Sequence, residues 1–392
     1  MLSSGSKENR LTRLVTLVVV LPSVILFAGI LRAQTETVSQ LQDNFSGDTV
    51  WDAATGTLTF ASSGVIDFDE AVFRKLDYGG FIWNVPQNVR KIIIDENVRV
   101  TGAFHSDFDL DIEGRDRTTS RIYGTDESSW ANNRMSSGAF LYSSIAINGA
   151  TANINTLTIV DPFAFMIRGD AESVVHVDNV NMIDTREGEH NHSDGFVGGD
   201  GSTVTNTFFD AGDDAIKPYF GTTTYSNITI NMRHNTVPIQ FGWFSKSAPI
   251  KAVFNNLTIT GDWGRGPVGT RPIIGGATKG VSFNATVEIN GANIQNPNAS
   301  IVQLVSSGMT LNGFINDAVI DVMRYSGTAH NAESTDNLVI CGTNGKISSY
   351  NCTLGGSTAT HSSSKSSGGG SNGIVTLMLL ALLAAIRKRS IQ

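Results

Sequence analysis

Between Ala152 and Ile230 four short runs follow one another: ANINTLTIV (Ala152–Val160), VVHVDNVNMI (Val174–Ile183), TVTNTFF (Thr203–Phe209) and TYSNITI (Thr224–Ile230). In each, apolar and polar side chains alternate with period two, the mark of a half-buried β-strand. VFNNLTI (Val253–Ile259) and VEINGANI (Val287–Ile294) continue the series. Each run holds an asparagine near its middle, and Asn155, Asn179, Asn206, Asn227, Asn256 and Asn290 are 24, 27, 21, 29 and 34 residues apart. A recurrence mostly in the twenties, with loops absorbing the variation, is the signature of a solenoid. No long segment from Gln34 to Thr360 has helical periodicity. Few tight Asn-Gly or Asp-Gly turns separate the runs, as hairpins in a sandwich or propeller would require. The expected fold is all-β, a right-handed parallel β-helix with two or three short strands per coil. Successive coils ~4.8 Å apart stack equivalent residues into ladders, with Ile, Val, Leu and Phe inside and asparagine amides pairing at the turns.

Working outward, the chain of 392 residues carries 28 Lys+Arg against 36 Asp+Glu, a formal net charge of −8, so nucleic acid is not an expected partner. With 16% charged and 40% apolar residues it is too apolar for disorder and too polar for multiple membrane spans. Residues 1–33 have the order of a secretory signal: Lys7, Arg10 and Arg13, the apolar run Leu14–Leu31, then Arg32-Ala33-Gln34. An uncleaved anchor is the alternative. Residues 34–80 are expected to form a cap and leading strands, 81–360 the β-helix, and 361–373 a Gly/Ser linker. In 374–392, the thirteen residues Ile374–Ile386 precede Arg387-Lys388-Arg389. As a helix they reach about 20 Å, short of the ~30 Å hydrocarbon layer. The glycine triplet, short apolar segment and basic end resemble C-terminal sorting tails cleaved by bacterial intramembrane proteases. The expectation is a monomer, secreted or held at the outer cell surface, with a sorting protease as a partner of its tail. Cys341 and Cys352, in CGTNGKISSYNC, are expected to form a structural disulfide in an oxidising compartment.

The densest set of chemically capable residues lies in NHSDGFVGGDGSTVTNTFFDAGDDAIKPYF, Asn191–Phe220. Asp194 and Asp213 are 213 − 194 = 19 residues apart, close to one coil, so they should be neighbours across the sheet together with Asp214. Three crowded carboxylates disfavour one another's ionisation, and one should keep its proton near neutral pH. Glycoside hydrolysis uses that arrangement: a protonated carboxyl serves the leaving oxygen while a carboxylate activates water, ~6.5–9.5 Å apart for inversion. An isolated Asp-Asp pair would more simply be a solvated turn or a calcium site. Downstream, Lys217 is suited to hold a carboxylate ionised or to bind a sugar hydroxyl, and Tyr219 and Trp243 to stack on sugar faces, with Gln240 beside them. A surface ion pair for Lys217 and packed aromatics are the plain alternatives. His190, His192 and Asp194 form H-x-H-x-D, a pattern zinc can use, but no further ligands cluster nearby, so His192 and His234 are read as substrate contacts and no metal or cofactor is expected.

The run DGFVGGDGSTVTNTFFDAGDDAIKPYF (Asp194–Phe220), followed by Arg233-His234-Asn235 and PIQFGW (Pro238–Trp243), resembles the core of glycoside hydrolase family 49, the dextranase and isopullulanase family. VRVTGAF (Val98–Phe104) and Asp161-Pro162-Phe163 resemble its early coils, and the resemblance spans most of Phe81–Gly276. It implies that Asp213 is the general acid, that Asp194 and Asp214 position and deprotonate the attacking water, and that the anomeric carbon inverts. Family members usually carry a β-sandwich before the β-helix, and too few residues precede Phe81 for one. The related polygalacturonases have G-H-G and R-I-K elements missing here, and pectin is acidic like this chain. The expectation is therefore an inverting endo-hydrolase of a neutral α-glucan such as dextran, at α-1,6 linkages. A polygalacturonase-like or other polysaccharide hydrolase, a calcium-dependent pectate-lyase-like enzyme, and a non-catalytic glycan-binding surface β-helix are the alternatives.

Overall fold

The computed structural model describes residues 37–68, 81–126, 143–186, 193–233, 235–262, 265–266, 269–276, 278–326, 335–342, 353–354 and 357–358. Residues 1–33, 361–373 and 374–392, together with His192, His234 and Cys352, lie outside the described residues.

The chain winds as a three-faced parallel β-helix. On the first face Thr57–Phe60, Lys91–Ile94, Leu110–Gly114, Thr151–Asn155, Val174–Asp178 and Thr203–Thr205 pair in parallel. The ladder continues through the long strands Thr222–Asn231, Ile250–Thr260, Phe283–Leu304, Met309–Ser326 and Thr335–Gly342. The second face stacks Gly64–Val65, Arg99–Thr101, Arg121–Tyr123, Thr158–Val160, Asn181–Ile183 and Phe208–Asp210, then the second halves of those long strands. The third runs from Ile82–Asn84 through Ala103–Ser106, Ile145–Ile147, Phe165–Gly169 and Asp194–Val197, crosses a bridge at Ile216, and continues with Ile239–Gln240 and Pro272–Gly276.

Period-two alternation becomes interior packing through register. Leu58, Ile92, Ile112, Ile154, Val177, Val204, Tyr225, Phe254, Ile289, Ile315 and Ile340 are successive Cα partners on the first face, and all are buried. Because coils stack at one sheet spacing, unlike apolar side chains fit by pairing in kind: the Tyr225 and Phe254 rings stack with centroids 4.6 Å apart.

The corner between first and second faces is a single left-handed residue in successive coils: Thr156, Asn179, Asn206, Asn227 and Asn256, with φ of 57°, 56°, 49°, 55° and 61°. Asparagine tolerates that conformation, and here its amide also joins a ladder. Asn227 Nδ2 donates to Asn206 Oδ1 at 3.0 Å, and Asn256 Nδ2 to Asn227 Oδ1 at 3.0 Å. Of the asparagines that mark the sequence recurrence, Asn155 and Asn290 stand one residue ahead of the corner, which Thr156 and Gly291 occupy. Asn227→Ala is expected to destabilise by about 1–2 kcal/mol, since alanine keeps neither the left-handed tolerance nor the amide. Asn227→Gly should recover most of the loss in a denaturant titration; equal losses in the two variants would show that backbone strain does not set the cost.

The N-terminal end is closed before the first full coil. The helix Val38–Asp43 starts at a Thr37/Gln40 capping box and turns Val38 and Leu41 inward. Phe45 meets Phe60 edge-on at 4.9 Å, and Thr49–Asp52 pairs antiparallel with Thr57–Phe60. These elements cover apolar groups and strand edges that an open solenoid end would leave exposed. The parallel ladder already begins at Thr57, so the span before Phe81 supplies part of the first coil as well as a cap. Cys341, on the last long strand, is not a free thiol. A separate compact unit, Cys352–Gln392, contains the antiparallel pair Thr353–Leu354 and Ser357–Thr358. Among the described residues no helix is long and apolar enough to cross a membrane.

Candidate active site

Asp194 opens a third-face strand, its N–H donating to Ala164 O at 2.9 Å. One coil later the chain leaves Phe208–Asp210 and turns through Gly212, Asp213 and Asp214 before it bridges at Ile216. The Gly195 N–H donates to Asp214 O and the Phe196 N–H to Ala215 O, both at 2.9 Å, which sets Asp194 and Asp214 side by side. The approach needs a glycine: a Cβ on Gly195 would stand 2.2 Å from Ala215 O. Ser193 sews the two coils together, since its hydroxyl accepts the Gly212 N–H at 2.7 Å and also hydrogen-bonds buried Asp184. Asp184 is held by Arg186 at 2.9 Å and kept below the ordinary carboxylate range by that guanidinium and the serine, against the effect of burial.

Each of Asp194, Asp213 and Asp214 offers an oxygen within 4.8 Å of the others, and all three are buried. Such a cluster has the oxygen chemistry to hold a hard cation. The Lys217 ammonium takes up that role here, 2.6 Å from Asp194 Oδ2 and 3.2 Å from Asp214 Oδ2. Trp243 Nε1–H donates to the same Asp214 oxygen at 2.5 Å, and Asn235 Nδ2 donates to Asp213 Oδ1 at 3.2 Å. One ammonium cannot balance three carboxylates. Burial pushes Asp194 up to about 8, with the charges of Asp213 and Asp214 adding and Lys217 opposing. Burial likewise raises Asp214 to about 6 against the pull of Lys217. The carboxylate charges drive Lys217 well above its ordinary value despite its own burial. The cluster as a whole therefore keeps a proton near neutral pH. Asp194 Oδ1 is buried with no hydrogen-bond partner, an oxygen left over for a ligand or water.

The other residues singled out in the sequence are placed unevenly. Trp243 lies beside the cluster with 47% of its surface exposed, next to Phe244 at 44%. Tyr219 is buried, with the Lys246 ammonium 4.3 Å over its ring and Phe244 edge-on at 4.8 Å, so it supports the aromatic corner from beneath and offers no open face for stacking. Gln240 is buried, and its Oε1 accepts the Gly242 N–H at 3.1 Å, shaping the turn that presents Trp243.

Five contributors are given no role by the sequence. Asn235 touches Asp213 and is gripped by Arg271, while Ser193 spaces the two acid-bearing segments. Phe244 widens the exposed aromatic surface. Lys246, whose burial pulls it down to about 8, donates to Phe241 O at 2.6 Å and Phe244 O at 3.0 Å, tying the corner down. Asn235 lies next to His234 in the Arg-His-Asn element, the one sequence signal that pointed to it.

No family model and no curated protein matches the chain. Among solved structures, Dex49A from Penicillium minioluteum aligns with a TM-score of 0.43 and 15% identity over 64% of this chain and 55% of its own, a distant likeness of fold. The chain thus spans about half the length of that neighbour.

Proposed function

We propose that the protein hydrolyses glycosidic bonds within a neutral polysaccharide, an α-glucan such as dextran cut at α-1,6 linkages. The observation that supports this is the convergence of three buried carboxylates from adjacent coils, carrying more negative charge than Lys217 balances. The proton retained by such a cluster is what a general acid needs, and a neighbouring carboxylate can activate water. Following the family 49 resemblance, Asp213 protonates the leaving glycosidic oxygen as the bond to the anomeric carbon breaks. Water guided by Asp194 and Asp214 attacks from the opposite face and gives its proton to that pair, inverting the centre.

One oxygen of each carboxyl lies within 4.8 Å of the others, nearer than the ~6.5–9.5 Å typical of inverting carboxyl pairs. Catalytic contacts in unliganded sites commonly readjust on binding, and a seated sugar and water would have to part Asp213 from the Asp194–Asp214 pair. A neutral substrate fits best. Lys217 is already committed to two carboxylates and has no charge left for a uronate, while Trp243, with Phe244 beside it under the Lys246 ammonium, exposes aromatic surface to sugar C–H groups.

The test is incubation of the purified protein with dextran, pullulan and polygalacturonate, with product sizing and NMR of the first anomer released. Dextran should yield a range of fragment sizes with initially β-configured ends, and polygalacturonate should stay intact. Cleavage of polygalacturonate alone overturns the substrate class, an α-anomer overturns inversion, and glycan binding without products overturns hydrolysis.

A further inference from the structure

A groove opens along the second face of the solenoid, apart from the acid cluster. Between the strands Leu110–Gly114 and Arg121–Tyr123 the first-to-second-face corner widens into Arg115–Ser120, whereas the coils that follow turn through one left-handed residue each. The widened loop stands as a wall. Arg117 bends from it across the next coils, its Nη2 donating to Val180 O at 3.2 Å, while its Nε is buried with no hydrogen-bond partner. Under this arm lies a cavity of about 530 Å³.

Its floor is one column of the second face, Asn181, Phe208 and Thr229, which are successive partners on three coils. Phe208 breaks the pattern of that column: its neighbours in register carry amides and hydroxyls, and a phenyl ring is partly exposed among them. Asn227 belongs to the lip, and no acidic side chain lines the cavity among the described residues, while Asp178, which accepts from the lining Asn206 amide at 2.8 Å, lies near enough to Arg117 to offset its charge. An aromatic platform, several amides and hydroxyls, and a guanidinium with an unused donor suit a ligand rich in hydroxyls with apolar C–H faces and no charge. Coils ~4.8 Å apart repeat these groups on the scale of successive sugar units.

We infer that this groove is an accessory binding site for a neutral polysaccharide, separate from the acid cluster. The strand carrying Phe208 runs on into the turn bearing Asp213, so a chain held here is presented to the molecule that cuts it. The choice of ligand class rests on the hydrolase proposed above; the groove's geometry does not.

The test is affinity electrophoresis of the full chain in gels containing dextran or pullulan, in an Asp213→Asn background that prevents digestion. Phe208→Ala should weaken retardation by one of these glycans at least fivefold, and Asn181→Ala should weaken it as a second, milder probe, both with the parent's cooperative thermal melt. Retardation that is unchanged in both variants, or no retardation by either glycan, overturns the site. Dextran hydrolysis by the native chain is scored separately. Groove-dependent retardation without hydrolysis sinks the enzyme and keeps the groove, and hydrolysis with groove-independent retardation does the reverse.

Discussion

If the chain hydrolyses dextran as proposed, replacing Asp213 by asparagine should lower turnover by about 10²–10⁴-fold, the usual worth of a positioned general acid. The substitution is nearly isosteric and removes one ionisable carboxyl from a crowded buried trio, so the cooperative melt should persist. Its signature is selective. A glycosyl fluoride, whose leaving group needs no proton, should still be hydrolysed by Asp213→Asn, whereas Asp214→Asn should lose both substrates because the water is no longer activated. The pH dependence follows the same logic. The proton that the cluster retains rests on Asp194, which burial pushes up to about 8, and must pass to Asp213 for the acid step, so activity on dextran should fall once pH rises through that value and the cluster no longer holds it. Without the charge of Asp213, which raises both Asp194 and Asp214, those two ionise at lower pH. Wild-type turnover of dextran by Asp213→Asn refutes the assignment, and loss of the fluoride as well moves Asp213 from acid to base.

Much of this site was legible in the sequence because a solenoid converts spacing into proximity. Nineteen residues from Asp194 to Asp213 is one coil, and the backbone bonds from Gly195 and Phe196 to Asp214 and Ala215 express that equality. Alternation likewise located the middle of the interior ladder, from Ile154 to Ile289, though not its ends at Leu58 and Ile340. What it does not encode is what lies over the outer side of a face. Tyr219 and Gln240 have side chains suited to sugars, yet both are covered. Asparagine marks the coil corners only by preference, so Asn155 and Asn290 mislead by one residue where Thr156 and Gly291 take the left-handed turn. Ser193, Asn235 and Arg271 are ordinary polar residues in the sequence. Their work depends on cross-coil contacts at separations of 19, 22 and 36 residues, which no local pattern announces.

Lys217→Met should be the most destabilising single change at the site. It deletes the only ammonium bonded to Asp194 and Asp214 among the described residues and leaves their charges buried without compensation, a class of change that costs about 3–5 kcal/mol. The loss is pH-dependent in a definite direction. Asp194 is raised from 3.8 to about 8 and Asp214 to about 6, so across that window the folded chain binds more protons than the unfolded chain. Stability of the native protein therefore declines as pH rises from about 4 towards about 8. Lys217, raised above its ordinary value, contributes fully throughout that range and ceases to do so only at higher, alkaline pH. In Lys217→Met the carboxylates can stay uncharged only by keeping more protons, so the deficit should be largest near pH 8 and shrink towards pH 4, where they are neutral. Urea titrations of both proteins across that interval measure it. A deficit independent of pH would mean that lost packing against the Phe165 ring, 4.9 Å from the ammonium, outweighs electrostatics, and that the trio is solvated enough to bear its own charge.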